Sequence, residues 1–214
     1  MKKKIKILIL LGLCLVATCL IGASVLAHTT TSTKLAAWGR YLNDKNHDAS
    51  VADDIYAQGE KTCITTKDIE QVQNFYMLSG KDEKTAWEEA VQYVKEREAL
   101  YQAAIDNGYS VTDQEVWDYI DELKKTVDSA DNKEDALAII RQFDSEQDYW
   151  NYEFSVYQKN LPIQNYVHDI EQTFMQRSAS SKKASNEIES EWQQYFEQLK
   201  TDLINKENYQ IVNK

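Results

Sequence analysis

ITTKDIEQ (Ile64–Gln71), AWEEAVQYVKEREALYQAAIDNGY (Ala86–Tyr109) and SVTDQEVWDYIDELKK (Ser110–Lys125) follow one another within a single stretch, and their order decides the fold class. Thr65 with Asp68 is a capping pair, in which the Thr hydroxyl takes an orphan backbone N–H, and Ile64 with Ile69 is spaced as a hydrophobic staple. Ile69, Val72, Phe75, Tyr76 and Leu78 then form one apolar face, and Ser79-Gly80 ends it. A second helix is predicted over about Lys84–Asn107. Its buried stripe is Trp87, Ala90, Val91, Val94, Leu100, Tyr101, Ala104 and Ile105, and Gly108 supplies a left-handed stop. Thr112-Asp113-Gln114-Glu115 is a full capping box for a third helix, with Val116, Tyr119, Ile120, Leu123 and Val127 inward.

Downstream, Asn132–Phe143 reads as a short fourth helix, and Ser145 with Asp148 opens a long fifth one. Tyr149, Tyr152, Val156, Ile163, Tyr166, Val167, Ile170 and Phe174 stay near one face of it. Pro162 interrupts that face, so a kink or break is expected near Asn160–Leu161. Arg177–Ser185 is a polar linker. The last helix, 186–205, carries Ile188, Trp192, Tyr195, Phe196, Leu199 and Leu203 on one stripe, and 206–214 reads as a tail.

Upstream, Leu35, Trp38, Tyr41 and Leu42 recur at helical spacing, between a Thr/Ser-rich spacer (His28–Lys34) and a polar loop (Asn43–Asp54). Before these, Lys2, Lys3, Lys4 and Lys6 precede an uncharged run from Ile7 to Ala27. At helical rise the run spans roughly 30 Å, one hydrocarbon core. The basic cluster places the rest of the chain outside the cytoplasm. Residues 1–27 are therefore either an uncleaved anchor or a signal peptide cleaved after Ala27. Neither Cys14 nor Cys19 sits in a good lipid-attachment context. Cys63 is the one cysteine beyond the leader, which rules out an intramolecular disulfide there. Beside Ile64 it reads as a packed small residue.

With 43% hydrophobic residues, one Pro and six Gly in 214 residues, an all-α architecture with a real core is expected. The net charge is −11, and four of the basic residues lie in the leader, so the remainder is more acidic still. Nucleic-acid binding is disfavoured, because phosphate contacts need a basic footprint. The spacing of His28, His47 and His168 fits no metal motif, and no Gly-rich phosphate loop or activated nucleophile is present. No cofactor and no catalysis are expected.

The order Ile64-Thr65-Thr66-Lys67-Asp68-Ile69, Ala99–Gly108 and Val111-Thr112-Asp113-Gln114-Glu115-Val116 resembles the N-terminal helical lobe of the SurA/PrsA-type extracytoplasmic foldases. The match covers about Asp54–Phe174. It implies a chaperone lobe over 54–176 with a long kinked helix. A juxtamembrane helix and loop (28–53) precede the lobe, and beyond the linker 177–185 a C-terminal return helix packs back on it. Two departures stand out. Gln58-Gly59 precedes Ile64 by a longer gap than the family's usual approach strand, so that strand is expected to be altered or absent. The family's parvulin-type isomerase domain has no room within Arg177–Ser185, so isomerase activity is not carried over.

The resemblance implies a holdase for unfolded or nascent exported polypeptides. It would sit on the outer face of the cytoplasmic membrane of a bacterial cell envelope, or be secreted. The alternative is an anchored module dedicated to one envelope or transporter partner. Aromatic excess supplies the candidate client-binding residues: Tyr149, Trp150, Tyr152, Phe154 and Tyr157 on the long helix, with Trp192 and Phe196 on the last. Tyr149, Tyr152 and Val156 share one side of their helix and Trp150, Phe154 and Tyr157 the neighbouring side. Either that helix lies between two layers that bury both sides, or one side lines a cradle for clients.

Overall fold

A computed structural model describes residues 28–47, 54–179 and 184–212. The elements among them are α1 (His28–His47), β1 (Ile55–Gln58), β2 (Cys63–Thr65), α2 (Thr66–Leu78), α3 (Glu83–Asp106), α4 (Asp113–Ser129), α5 (Lys133–Ile140), α6 (Glu146–Ser178), α7 (Ser185–Glu207) and β3 (Gln210–Ile211). The protein is mostly helical, as the periodicity predicts, with one small sheet added. The Ile7–Ala27 run, and with it the anchor or signal peptide, lies outside the described residues. Among those described, no helix is long and apolar enough to cross a membrane.

The local helix signals act as read. At α4 the Thr112 hydroxyl accepts the Glu115 N–H while the Glu115 carboxylate accepts the Thr112 N–H at 2.7 Å. Thr65 accepts the Asp68 N–H and Ser145 the Asp148 N–H, both at 3.1 Å. Gly80 and Gly108 stop α2 and α3 at positive φ, +106° and +85°, where side chains other than glycine's are strained.

The chain divides into two units that alternate along the sequence. The first holds α1, Asn74–Asp82 and Val111–Asn160; the second holds Asp53–Gln73, Glu83–Ser110 and Leu161–Lys214. In the first, α1 packs on α5 and α4 packs on α5. Gly39 makes the α1 contact possible, since a Cβ there would lie 2.6 Å from the Ile139 carbonyl oxygen. Trp38 and Leu42 are buried beside it, with the Trp38 ring edge-on to Phe75 at 5.5 Å. At the end of α1, Asn43 and His47 both reach the Asp144 carboxylate, at 3.2 Å each.

In the second unit the strand order is β2-β1-β3, both pairings antiparallel. Ala57 and Ile64 point inward and are fully buried. The hairpin turn between β1 and β2 is clasped by the end of α7. One Glu207 oxygen accepts the Lys61 N–H at 3.0 Å, the Thr62 N–H at 3.1 Å and the Thr62 hydroxyl at 3.0 Å. Gly59 leaves room for this, because a Cβ there would come within 2.7 Å of Glu207 and 2.8 Å of the Tyr209 ring. Helix α7 packs along α3, where the Lys200 ammonium bonds Glu96 at 2.9 Å and Glu197 at 2.8 Å. Arg97 of α3 reaches Asp68 at 2.6 Å and Glu98 at 2.7 Å, tying the start of α2 to α3.

Several expectations are corrected. The spacer His28–Lys34 and the segment Asn43–His47 are helical, parts of α1, and in the latter Asp144 supplies partners for polar side chains that alone suggest a loop. A strand does precede β2, so it is not absent: Ile55–Gln58 pairs with Cys63–Thr65, with an irregularity between Ile55 and Ala57. The expected tail contributes the third strand, Gln210–Ile211, whose partner Ala57 lies far away in sequence. Of the kink or break expected near Asn160–Leu161, the break does not occur, and α6 is one helix through Pro162. The proline removes only one intrahelical donor, and Leu161, Pro162 and Ile163 are all buried, so their burial offsets a cost of about 3 kcal/mol. The passage from first unit to second falls between Asn160 and Leu161, beside this proline. Ile105, expected inside, is exposed at the last turn of α3, and Cys63 is exposed on an edge strand.

Candidate functional site

The seven aromatic candidates divide between the units: Tyr149, Trp150, Tyr152, Phe154 and Tyr157 belong to the first, Trp192 and Phe196 to the second. In the first unit they mostly make core. Tyr149, Trp150 and Tyr157 are buried, while Tyr152 and Phe154 are half-buried. One side of α6 meets α4, through Trp117 stacked on Phe154 and Tyr119 against Tyr157, each with ring centroids 4.7 Å apart. The other side meets Phe143, which lies 5.1 Å from Tyr149 and 5.7 Å from Tyr152. In the first unit both sides of this helix thus meet rings from other segments, with Tyr152 and Phe154 less completely covered. Lys124 closes the outside, its ammonium 5.4 Å from the Trp150 ring and 5.9 Å from that of Trp117, and the Trp150 indole donates to Glu146 at 3.0 Å.

Inside this aromatic layer sits Glu153, 0% exposed. Neither carboxyl oxygen has a hydrogen-bond partner of good geometry among the described residues, and the same holds for the Tyr149 hydroxyl one turn earlier. Burial pushes the carboxyl pKa up to about 7, with the Tyr149 hydroxyl pulling weakly the other way. Periodicity alone does not mark Glu153 as interior, because its helix has apolar residues on two sides.

In the second unit the pattern differs. Trp192 and Phe196 are buried and stacked on each other at 5.5 Å, with the Lys200 ammonium 5.4 Å from the Phe196 ring. From Trp192 the rings continue outward. Phe174 of α6 lies 5.5 Å from both Trp192 and Tyr195, and Tyr195 is 45% exposed. Earlier on α6, Tyr166 has Tyr109 packed edge-on to it at 5.4 Å. The Tyr109 hydroxyl donates to Asp169 at 2.9 Å, which raises its pKa above the ordinary value. Phe174, Tyr166 and Tyr109 are half-buried. The result is a pair, Tyr109–Tyr166, and a row of rings, Tyr195–Phe174–Trp192–Phe196, the row anchored inside at Trp192 and Phe196 and open at Tyr195.

Tyr109, Tyr166, Phe174 and Tyr195 are the members sequence reasoning did not single out. Phe174 and Tyr195 stand on the predicted stripes, and their spacing to Ile170 and Trp192 was the available signal. Among the described residues no group of His, Cys, Asp and Glu is placed to hold a metal ion. Compared with known proteins, the chain matches no family model, no curated protein and no solved structure.

Proposed function

We propose that this protein is an extracytoplasmic holdase that binds unfolded or nascent exported polypeptides without isomerase catalysis. Its N-terminal segment would hold it at the outer face of the membrane or be cleaved after Ala27. The observation that supports this reading is the open row of rings in the second unit. Aromatic side chains bury large areas at small entropy cost, and rings already packed on Trp192 are ordered before any client arrives. Covering about 400 Å² of apolar surface would contribute roughly 10 kcal/mol gross, reduced by ordering costs to weak, reversible binding. The likeness of Ile64–Val116 to the SurA/PrsA-type lobe supports the same function, as does the return of α7 onto α3.

The test is suppression of aggregation of a reduced, unfolded secreted protein by the full-length chain, alongside a Phe174→Ser/Tyr195→Ser variant. The wild type is expected to suppress aggregation. The variant, with unchanged helical circular dichroism, is expected to lose most of that effect. A folded wild type with no suppression would overturn the holdase reading in favour of a module dedicated to one envelope partner.

A further inference from the structure

In the second unit the buried ionisable side chains are all engaged. Glu98 is paired with Arg97, Lys200 with Glu96 and Glu197, and Glu207 accepts the bonds of the clasp. Glu153 of the first unit is buried as completely and has no cation paired with it among the described residues. One turn to either side of it on α6 stand Tyr149, Trp150 and Tyr157, themselves covered by Phe143 and by Tyr119 of α4. Its nearest titratable neighbours on α6 are the Tyr149, Tyr152 and Tyr157 hydroxyls, of which Tyr149's acts on the carboxyl. From α4 come the Tyr119 hydroxyl beside Tyr157 and the Lys124 ammonium, which stands outside over Trp150 and Trp117. The acids of α5 are engaged elsewhere, Glu134 with Arg141 and Asp135 with Asn132.

We propose that Glu153 is a pH-operated latch of the first unit: loss of its proton lets α4 part from residues 146–160 of α6 and uncovers the rings between them, while the second unit stays shut. The ring layer accepts the neutral acid, whereas a carboxylate there has no donor to replace the water it gives up. What holds α4 against this stretch is mostly rings: Trp117 on Phe154, Tyr119 against Tyr157, and Lys124 over Trp150. One exposed polar bond, Gln158 to Asp113 at 3.1 Å, joins them at the edge. Burial raises the carboxyl pKa from 4.5 to about 7 in the closed layer, and access to water restores the ordinary value once the layer opens. Between these values the closed layer keeps a proton that the open one releases. Opening therefore becomes about 10-fold more frequent per pH unit in that window and levels off above it.

Hydrogen exchange of the full-length chain, followed by mass spectrometry from about pH 5 to 8 and corrected for the intrinsic rate at each pH, tests this. Peptides from α4 and from residues 146–160 are expected to lose protection about 10-fold per pH unit up to about pH 7, with α3 and α7 unchanged. Glu153→Gln is expected to remove that pH dependence and keep the layer closed at about pH 8. If the amide prevents folding, as judged by circular dichroism, Glu153→Met, an apolar chain of similar length, carries the same expectation. Protection of α4 that is indifferent to pH in the wild type, or a pH dependence that survives in a folded variant, would overturn the latch. Equal loss of protection in α7 would overturn it as well, since the opening would then belong to the whole chain.

Discussion

The aromatic cluster of the first unit and the aromatic row of the second use the same side chains at similar helical spacings, yet one is closed and the other open. Around Tyr149 and Tyr157 the rings of α6 meet rings from α4 on one side and Phe143 on the other, and Lys124 caps the exposed edge. Around Tyr195 the neighbouring rings are Phe174 of α6 and Trp192 of α7, and 45% of Tyr195 remains exposed. An aromatic stripe is core where a third element covers it and a surface where none does. Counting aromatics along one helix does not distinguish the two.

Truncation at matched positions separates them most sharply. Tyr149→Ala is expected to destabilise the protein by about 3–5 kcal/mol through lost burial and the cavity it leaves. Tyr195→Ala should cost less than about 1 kcal/mol and act on polypeptide binding instead. Urea denaturation read by circular dichroism measures both. Similar losses at the two positions would mean that the row is as closed as the cluster.

Glu153 sharpens the comparison through pH. Its folded pKa is raised to about 7 from an ordinary 4.5, so between those values the folded state holds more protons than the unfolded one. Stability therefore falls as pH rises from about 4.5 through 7 and levels off above, a loss of about 3 kcal/mol in total. Glu153→Gln should flatten this slope and leave the protein more stable at pH 8, as urea midpoints across pH 4.5–8.5 would reveal. A slope unchanged by the substitution would place its origin elsewhere.

The third expectation concerns the clasp of the second unit. Glu207→Gln replaces a carboxylate that accepts two backbone N–H groups and a hydroxyl with a neutral amide, at a cost of about 2 kcal/mol. Hydrogen exchange should show earlier opening of the amides of Lys61 and Thr62, with those of α4 unaffected. Equal acceleration in both places would mean that the two units open together.

Much of the helical frame is legible from residues three or four apart. Thr112 with Glu115, Thr65 with Asp68, and Ser145 with Asp148 place helix starts because each bond closes within one turn. Gly80 and Gly108 mark stops because a positive φ is a property of one residue. The sheet was not legible, because Ala57 pairs with Ile211 across most of the chain, and neither strand is long enough to carry a pattern by itself. The candidate site was legible only in part. Trp192 and Phe196 are the anchored end of the row, whereas three of the five residues chosen on α6 are interior.

The sequence by itself determined the helical class, the main helix boundaries near the caps and glycines, the acidic balance and the uncharged run Ile7–Ala27. These follow from local hydrogen bonding, backbone sterics and composition. Only the tertiary structure decided which aromatic stripe is covered, that Glu153 lies inside a layer of rings, that Gly39 and Gly59 are points of close approach, and that the last residues complete a sheet begun at Ile55. Each of these depends on what a distant segment places against the residue, and burial, unlike a cap, is a property of the pair.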